Sequence, residues 1–173
     1  VQNTHGDILR KQGDLTGAAE AYRAAERTFE VLSSAYGTAP RINLGLTLLA
    51  AEDFEAAGAA LRRALGDVRA EGHAGYEYAV RHALLPVAAA RRDRARADAH
   101  LDAITALRGR GHFLDGDLAS TAEQAGDLWH RAWDSDRAVA CWDLAHAQWH
   151  GLDNADAAAR TERKRSRGRR GPG

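Results

Sequence analysis

The sequence predicts an all-α protein, in which about four antiparallel helix pairs stack into a right-handed α-solenoid. Three observations support this class: one residue pattern returns about every 40 residues, runs of β-branched residues are missing, and only three prolines interrupt the chain. Hydrophobic residues make up 45% of the chain but aromatic residues only 6%. The core must therefore be built largely from alanine, which suits closely packed helices better than a sheet.

The repeated pattern is clearest in the segment 53–65, DFEAAGAALRRAL. An aspartate opens the segment, and small or apolar residues follow at i+4, i+8 and i+11, which lie on one stripe of an α-helix. The four aspartates are separated by steps of 39, 40 and 41 residues, so the chain is predicted to be a repeat array. The four series are Asp14, Ala18, Tyr22, Ala25; Asp53, Ala57, Leu61, Ala64; Asp93, Ala97, Leu101, Ile104; and Asp134, Ala138, Trp142, Ala145.

Each element of the pattern has a physical role in a helix pair. The aspartate carboxylate can accept hydrogen bonds from free N–H groups at the start of the second helix. The alanines allow close approach, and the larger residue at i+8 fills the space between the helices. The predicted pairs cover about 1–36, 41–71, 76–108 and 117–150, which together form an array over 1–152. Pro86 is expected to kink its helix or to remove a hydrogen bond.

The last segment, 153–173, differs in composition from the array. From residue 154 onward it contains seven basic residues against two acidic ones, together with glycine, serine and proline. This composition predicts a basic, largely disordered tail, although a helix could persist to about Arg165. The tail could bind nucleic acid by counterion release, dock on an acidic partner or solubilise the terminus. No aromatic residue is interleaved with its charges, so base stacking is not expected and nucleic acid is not favoured.

The repeat resembles the tetratricopeptide repeat. The small position of the first helix is occupied by Gly6, Gly45 and Gly126, and the family's Gly-Asp-aromatic turn is matched by 13–15 (GDL) and 52–54 (EDF). The period of about 40 exceeds the family's 34 residues. It is similar to the elongated repeats in C-terminal regions of large bacterial serine/threonine protein kinases and of ATPase-type transcription regulators.

The resemblance implies a scaffold that binds a protein or peptide, or a domain of the same parent chain. The sequence has no methionine, and we expect a C-terminal fragment of a larger bacterial signalling protein, such as a serine/threonine kinase. The alternative is the effector region of a transcription regulator whose basic tail contacts nucleic acid.

A peptide groove is predicted on the first helices, which line the concave face in such arrays. The alternative interpretation is that Leu46 and Leu49 belong to the core between helices and that the charges are merely solvated. The predicted groove residues, in repeat register, are Asn3, Asp7, Arg10 and Lys11; Ile42, Leu46 and Leu49; His82 and Pro86; and Glu123, Asp127, His130 and Arg131.

No catalytic pattern is present in these 173 residues. Phosphate-binding glycine loops, a nucleophile elbow and the kinase catalytic motifs are all missing, so the segment itself is not expected to be an enzyme. Asp143, His146 and His150 share one helical face and could ligate a metal, but they are more simply explained as surface residues. We therefore expect neither a metal nor a cofactor.

Cys141 is the only cysteine, which excludes an intrachain disulfide and fits a reducing compartment. Its place on the packed stripe predicts a buried, inert thiol. The sequence has neither an apolar run long enough to span a membrane nor a signal peptide before the first repeat, so the expected location is the cytoplasm and no membrane partner is predicted.

Overall fold

The computed structural model describes residues 2–31, 38–108 and 113–169, which form α-helices joined by short turns. Within these residues there is no β-strand, which confirms the all-α class. The chain divides into two compact units, Val1–His73 (unit 1) and Ala74–Gly173 (unit 2). Residues 1 and 32–36 of the first predicted pair and residues 170–173 of the predicted tail lie outside the described residues.

In the described part of unit 1 there are four helices, and each helix packs against the next one along the chain. They are α1 (Gln2–Lys11), α2 (Leu15–Val31), α3 (Thr38–Ala50) and α4 (Phe54–Ala70).

Buried Arg41 on α3 ties three of these helices together. Its Nε lies 2.7 Å from Glu26 Oε1 on α2, and its Nη1 pairs with Asp67 on α4. Because a buried guanidinium is stable only when it is paired, this network fixes how α2, α3 and α4 meet.

The described residues of unit 2 form five helices: α5 (Ala74–Ala90), α6 (Arg94–Arg108), α7 (Gly116–Arg131), α8 (Ser135–Gly151) and α9 (Ala155–Gly168). α5 packs against α6 and α7, α7 against α8, and α8 against α9. α5 continues through the buried Pro86 as one helix. Since proline has no N–H, that position lacks one helical hydrogen bond, as the sequence predicted.

The four predicted aspartates occupy equivalent turns. In each turn the aspartate N–H donates to the carbonyl five residues earlier, and its carboxylate accepts the N–H three residues later. This arrangement closes one helix and caps the next, and each cap contributes about 1 kcal/mol. The residue before the aspartate has a positive φ in each case: Gly13 at 84°, Glu52 at 58°, Arg92 at 53° and Trp133 at 61°. The capping role predicted from the sequence is confirmed.

The predicted packing stripe is also confirmed. Its alanines at i+4 are fully buried, and so are Tyr22 and Leu61, whereas Leu101 is only partly buried. Opposite these residues the backbone of the first helix approaches closely at a glycine. A Cβ on Gly45 would lie 2.5 Å from Leu61 Cδ2, and one on Gly126 would lie 2.4 Å from Trp142 Cδ1. Only glycine leaves room for the large partner at these crossings.

Residues 155–168 form helix α9, which confirms that a helix persists to about Arg165 and shows that the expectation of a largely disordered tail is wrong over this segment. Asn154 caps this helix by accepting from Ala157 N–H at 3.1 Å, in the same geometry as the four aspartates. Ala157, Ala158 and Thr161 are buried, and carboxylates of α7 and α8 neutralise the basic side chains. A basic composition predicts disorder only where no acidic surface of the protein can pair with the basic side chains.

Candidate functional site

The predicted groove residues of unit 1 divide between surface and core. Asn3, Asp7, Arg10 and Leu46 are half-buried, and Lys11 is exposed. A row of polar side chains connects α1 and α3, the first helices of the two pairs. Asn43 Nδ2 on α3 lies 3.4 Å from both Asn3 Oδ1 and Asp7 Oδ1 on α1.

Several of the predicted groove residues are buried rather than on a surface. Ile42 is 6% exposed, Leu49 is 1% exposed and His82 is fully buried. The prediction that these three side chains line the groove is therefore wrong. For Leu49, the alternative interpretation is correct: it belongs to the core between helices. The helices that carry these residues contact their neighbours through an apolar face. This face is wider than the single stripe that was predicted to face the groove. Pro86 is buried as well.

His82 illustrates why a polar residue can lie in the core. Its Nδ1 lies 3.0 Å from the Tyr78 carbonyl oxygen, and its ring lies 4.4 Å from the Tyr78 ring. Burial lowers the pKa of His82 to about 4, so the ring is neutral at pH 7. A neutral imidazole with a backbone partner can replace an apolar side chain in the core.

The predicted groove residues of α7 form a carboxylate site, which we call the α7 carboxylate pair and define as Glu123 and Asp127. Glu123 is only 7% exposed. Burial by itself raises the Glu123 pKa, but hydrogen bonds from Arg160, Lys164 and Trp149 outweigh burial and lower it to about 2. His130 and Arg131, the remaining predicted residues of this helix, are exposed.

The α7 carboxylate pair is occupied by basic side chains of α9. Arg160 donates from Nε to Glu123 Oε1 and from Nη2 to Glu123 Oε2, both at 2.8 Å. Lys164 Nζ lies 2.8 Å from Glu123 Oε1 and 2.6 Å from Asp127 Oδ2. The face for which an external peptide was predicted therefore holds a helix of the same chain in unit 2.

The two units repeat one carboxylate motif. Asp7 in unit 1 and Asp127 in unit 2 occupy the same position in the repeat, one residue after the glycine of the first helix. Tyr22 OH donates to Asp7 Oδ1 at 2.6 Å, and Trp142 Nε1 donates to Asp127 Oδ1 at 2.9 Å. Burial and the hydrogen bond to Asp7 both raise the Tyr22 pKa. In each unit the aromatic residue of the packing stripe thus holds in place a carboxylate on the first helix of its pair.

The candidate metal ligands do not converge. Asp143 accepts from Arg165 and Arg169, and His146 Nδ1 lies 3.1 Å from the Ala158 carbonyl oxygen. Among the described residues, no three His, Cys, Asp or Glu side chains are grouped as a metal site would require. Asp143 and His146 instead contact α9.

Cys141 is fully buried, as predicted, and burial raises its pKa to about 12. Its thiol is therefore protonated at pH 7 and inert.

The sequence interpretation missed the partners of the α7 carboxylate pair. Arg160 and Lys164 are spaced i, i+4, as are Glu123 and Asp127, so each set lies on one helical face. This complementary spacing was the available signal. It was not used because α9 was expected to be disordered.

No family model matches this sequence, and no curated protein matches it. Within the described residues, no helix has the length and apolar character needed to cross a membrane. The fold is similar to the crystal structure of BtubC (BKLC) from P. vanneervenii, with a TM-score of 0.66 and 21% sequence identity. The similarity covers 88% of this chain and 63% of that chain, so this chain spans less than two thirds of that protein's length. At this identity the likeness shows the helical fold alone.

Proposed function

We propose that this chain is a tetratricopeptide-like protein-interaction module. In this proposal its antiparallel helix pairs form a right-handed α-solenoid, and the first helices hold a segment of a protein partner. The parent would be a larger bacterial signalling protein of the cytoplasm, such as a serine/threonine kinase, and this segment would have no catalytic role of its own.

The proposal rests on the recurrence, in both units, of a carboxylate that is held by an aromatic side chain. Asp127 holds Lys164 of a neighbouring helix at 2.6 Å, so this position of the repeat can bind a cationic side chain. Asp7 is its equivalent in unit 1 and is held in the same way by Tyr22, while Asn3 and Leu46 beside it are partly exposed. We therefore assign the α1–α3 face, defined by Asn3, Asp7, Asn43 and Leu46, as the partner-binding surface. Its expected ligand is a segment that contains lysine or arginine next to an apolar residue.

The experiment is a selection from a random peptide library on the full chain, followed by fluorescence polarisation of the selected peptides. Asp7→Asn removes the charge but keeps an acceptor for Tyr22, so it should preserve the fold. We expect basic residues in the selected peptides and an affinity loss of about tenfold or more with Asp7→Asn. Glu20→Gln is the matched control, because Glu20 is an exposed carboxylate on the second helix α2.

The proposal fails if the library gives no binder. It also fails if selected peptides bind Asp7→Asn and Glu20→Gln equally well.

The nucleic-acid alternative receives less support from the geometry. Arg160, Lys164 and Arg165 pair with carboxylates of α7 and α8, which leaves fewer cations of α9 for phosphate contacts.

A further inference from the structure

The α7 carboxylate pair is organised by donors that do not belong to α9. Trp149 Nε1 donates to Glu123 Oε2 at 3.2 Å, and Trp142 Nε1 donates to Asp127 Oδ1 at 2.9 Å. Both indoles belong to α8, which packs directly on α7. The two carboxylates therefore keep their positions whether or not α9 is docked, and together they form a site for cations spaced i, i+4 on a helix.

The docking of α9 combines charge with the packing of small residues. Its buried residues are Ala157, Ala158, Thr161 and Gly168, and the sequence 155–168 contains no aliphatic side chain larger than alanine and no aromatic one. These residues bury little apolar surface of their own, although Gly168 lies against Val139 and Trp142 of α8. Among the described residues, five ion pairs connect α9 and its C-cap Arg169 to α7 and α8: Arg160–Glu123, Lys164–Glu123, Lys164–Asp127, Arg165–Asp143 and Arg169–Asp143.

Ion pairs of this kind weaken with salt, since several of their side chains are partly exposed. The exposed fractions are 47% for Arg160, 35% for Asp127 and 43% for Asp143. A helix of 14 residues is also marginal in water once it loses its tertiary contacts. Undocking of α9 therefore costs less than opening of α8, which carries the buried Trp142 and Cys141.

We propose that the α7 carboxylate pair is a binding site for a cationic helix and that α9 is its exchangeable intramolecular occupant. A partner helix with Arg or Lys at i, i+4 competes with α9 for the two carboxylates and takes its place. The inference rests on the proposed interaction function and adds a regulatory step to it. Only molecules in which α9 is undocked can bind such a partner, so the apparent affinity is the intrinsic affinity multiplied by the undocked fraction.

The test uses the full chain and a fluorescein-labelled peptide with the sequence of residues 152–169 as the probe. In the chain, Arg160→Ala with Lys164→Ala weakens the intramolecular helix and leaves the carboxylates intact. We expect this double variant to bind the probe at least about tenfold more tightly than the unmodified chain. Adding Glu123→Gln to it should abolish binding.

The matched control is Arg163→Ala with Arg167→Ala, which removes the same charge from the exposed side of α9. It should bind the probe as the unmodified chain does. The inference is overturned if the Arg160→Ala, Lys164→Ala chain does not bind the probe, or if Glu123→Gln leaves binding unchanged.

Hydrogen exchange on the unmodified chain gives a second test that needs no variant. We expect amide exchange in α9 to accelerate several-fold between low salt and about 0.5 M NaCl, because added salt screens the attraction between partly exposed charges. Exchange in α8 should not change. If α9 is as protected as α8 at every salt concentration, it is a permanent part of unit 2 and the inference is wrong.

The two proposals fail in different ways. If the probe fails on the α7 carboxylate pair while library peptides bind in an Asp7-dependent manner, only the exchange of α9 is refuted. If the probe binds but no library peptide depends on Asp7, the assignment of the α1–α3 face is refuted and the α7 site stands.

Discussion

The glycine at the helix crossing of unit 1 gives the sharpest test of the packing. In Gly45→Ala, the new Cβ would lie 2.5 Å from Leu61 Cδ2 and from Leu61 Cγ. Leu61 is fully buried and has no space into which to move. Overpacking of this kind costs roughly 1–3 kcal/mol, whereas the higher helix propensity of alanine returns roughly 1 kcal/mol. We expect a net loss of about 0–2 kcal/mol.

A second glycine in the same unit provides the control. Gly66 lies on the exposed side of α4, and a Cβ there would meet no atom within 4 Å. Gly66→Ala should therefore gain about 1 kcal/mol from propensity alone. The difference between the two variants isolates the packing cost, which we expect to be roughly 1–3 kcal/mol.

Urea unfolding followed by far-UV circular dichroism measures this difference. Hydrogen exchange of the α3 and α4 amides locates it in unit 1. If the two variants shift the unfolding free energy equally, or if Gly45→Ala is the more stable of the two, the close approach at Gly45 does not exist and the packing argument is refuted.

Three further predictions concern a buried charge, a buried imidazole and a strained turn. Arg41→Met leaves Glu26 and Asp67 without their buried partner and should cost about 3–5 kcal/mol in urea unfolding; Arg63→Met, at a side chain 61% exposed, should cost less than about 1 kcal/mol. His82 has a pKa of about 4 when folded and an ordinary value of 6.5, so only the unfolded chain gains the proton between these values. Stability should therefore fall by roughly 3 kcal/mol as the pH drops from about 6.5 to 4, and thermal melts of His82→Gln should lack this contribution. Trp133→Gly relieves a φ of 61° at an 81% exposed side chain and should raise the free energy of unfolding by about 1 kcal/mol, whereas Trp133→Ala should not.

Much of the fold could be predicted because its signals are local. An aspartate that caps one helix and closes the previous one acts within a few residues, and the stripe of Ala57, Leu61 and Ala64 repeats at helical spacing. The α8–α9 turn uses the same geometry, but it has Asn154 in place of aspartate and follows the preceding aspartate by only 20 residues. The repeat period that predicts the other turns therefore does not predict this one. The basic composition after this turn favoured disorder.

The candidate site was less predictable because burial depends on which helix covers a face. Helical register placed Ile42, Leu46 and Leu49 on one side of α3, but it could not show that two of the three are covered by neighbouring helices. Charge alone did not show that Glu123 receives Arg160 from 37 residues later in the chain. Contacts between helices that are far apart in the sequence leave no local signal. The exception is a pair of helices that carry complementary charges at the same spacing.

The uneven distribution of charge in the sequence acquires a physical meaning in unit 2. The chain is neutral overall, but residues 1–153 hold 22 acidic and 17 basic side chains, while the rest hold two acidic and seven basic. Glu123, Asp127 and Asp143 are where part of the acidic excess meets the basic helix. An isolated basic tail would repel itself and remain unfolded, and isolated carboxylates on α7 would attract any cation. Each set therefore stabilises the other, and we expect a competing cationic helix to be able to use the same carboxylates.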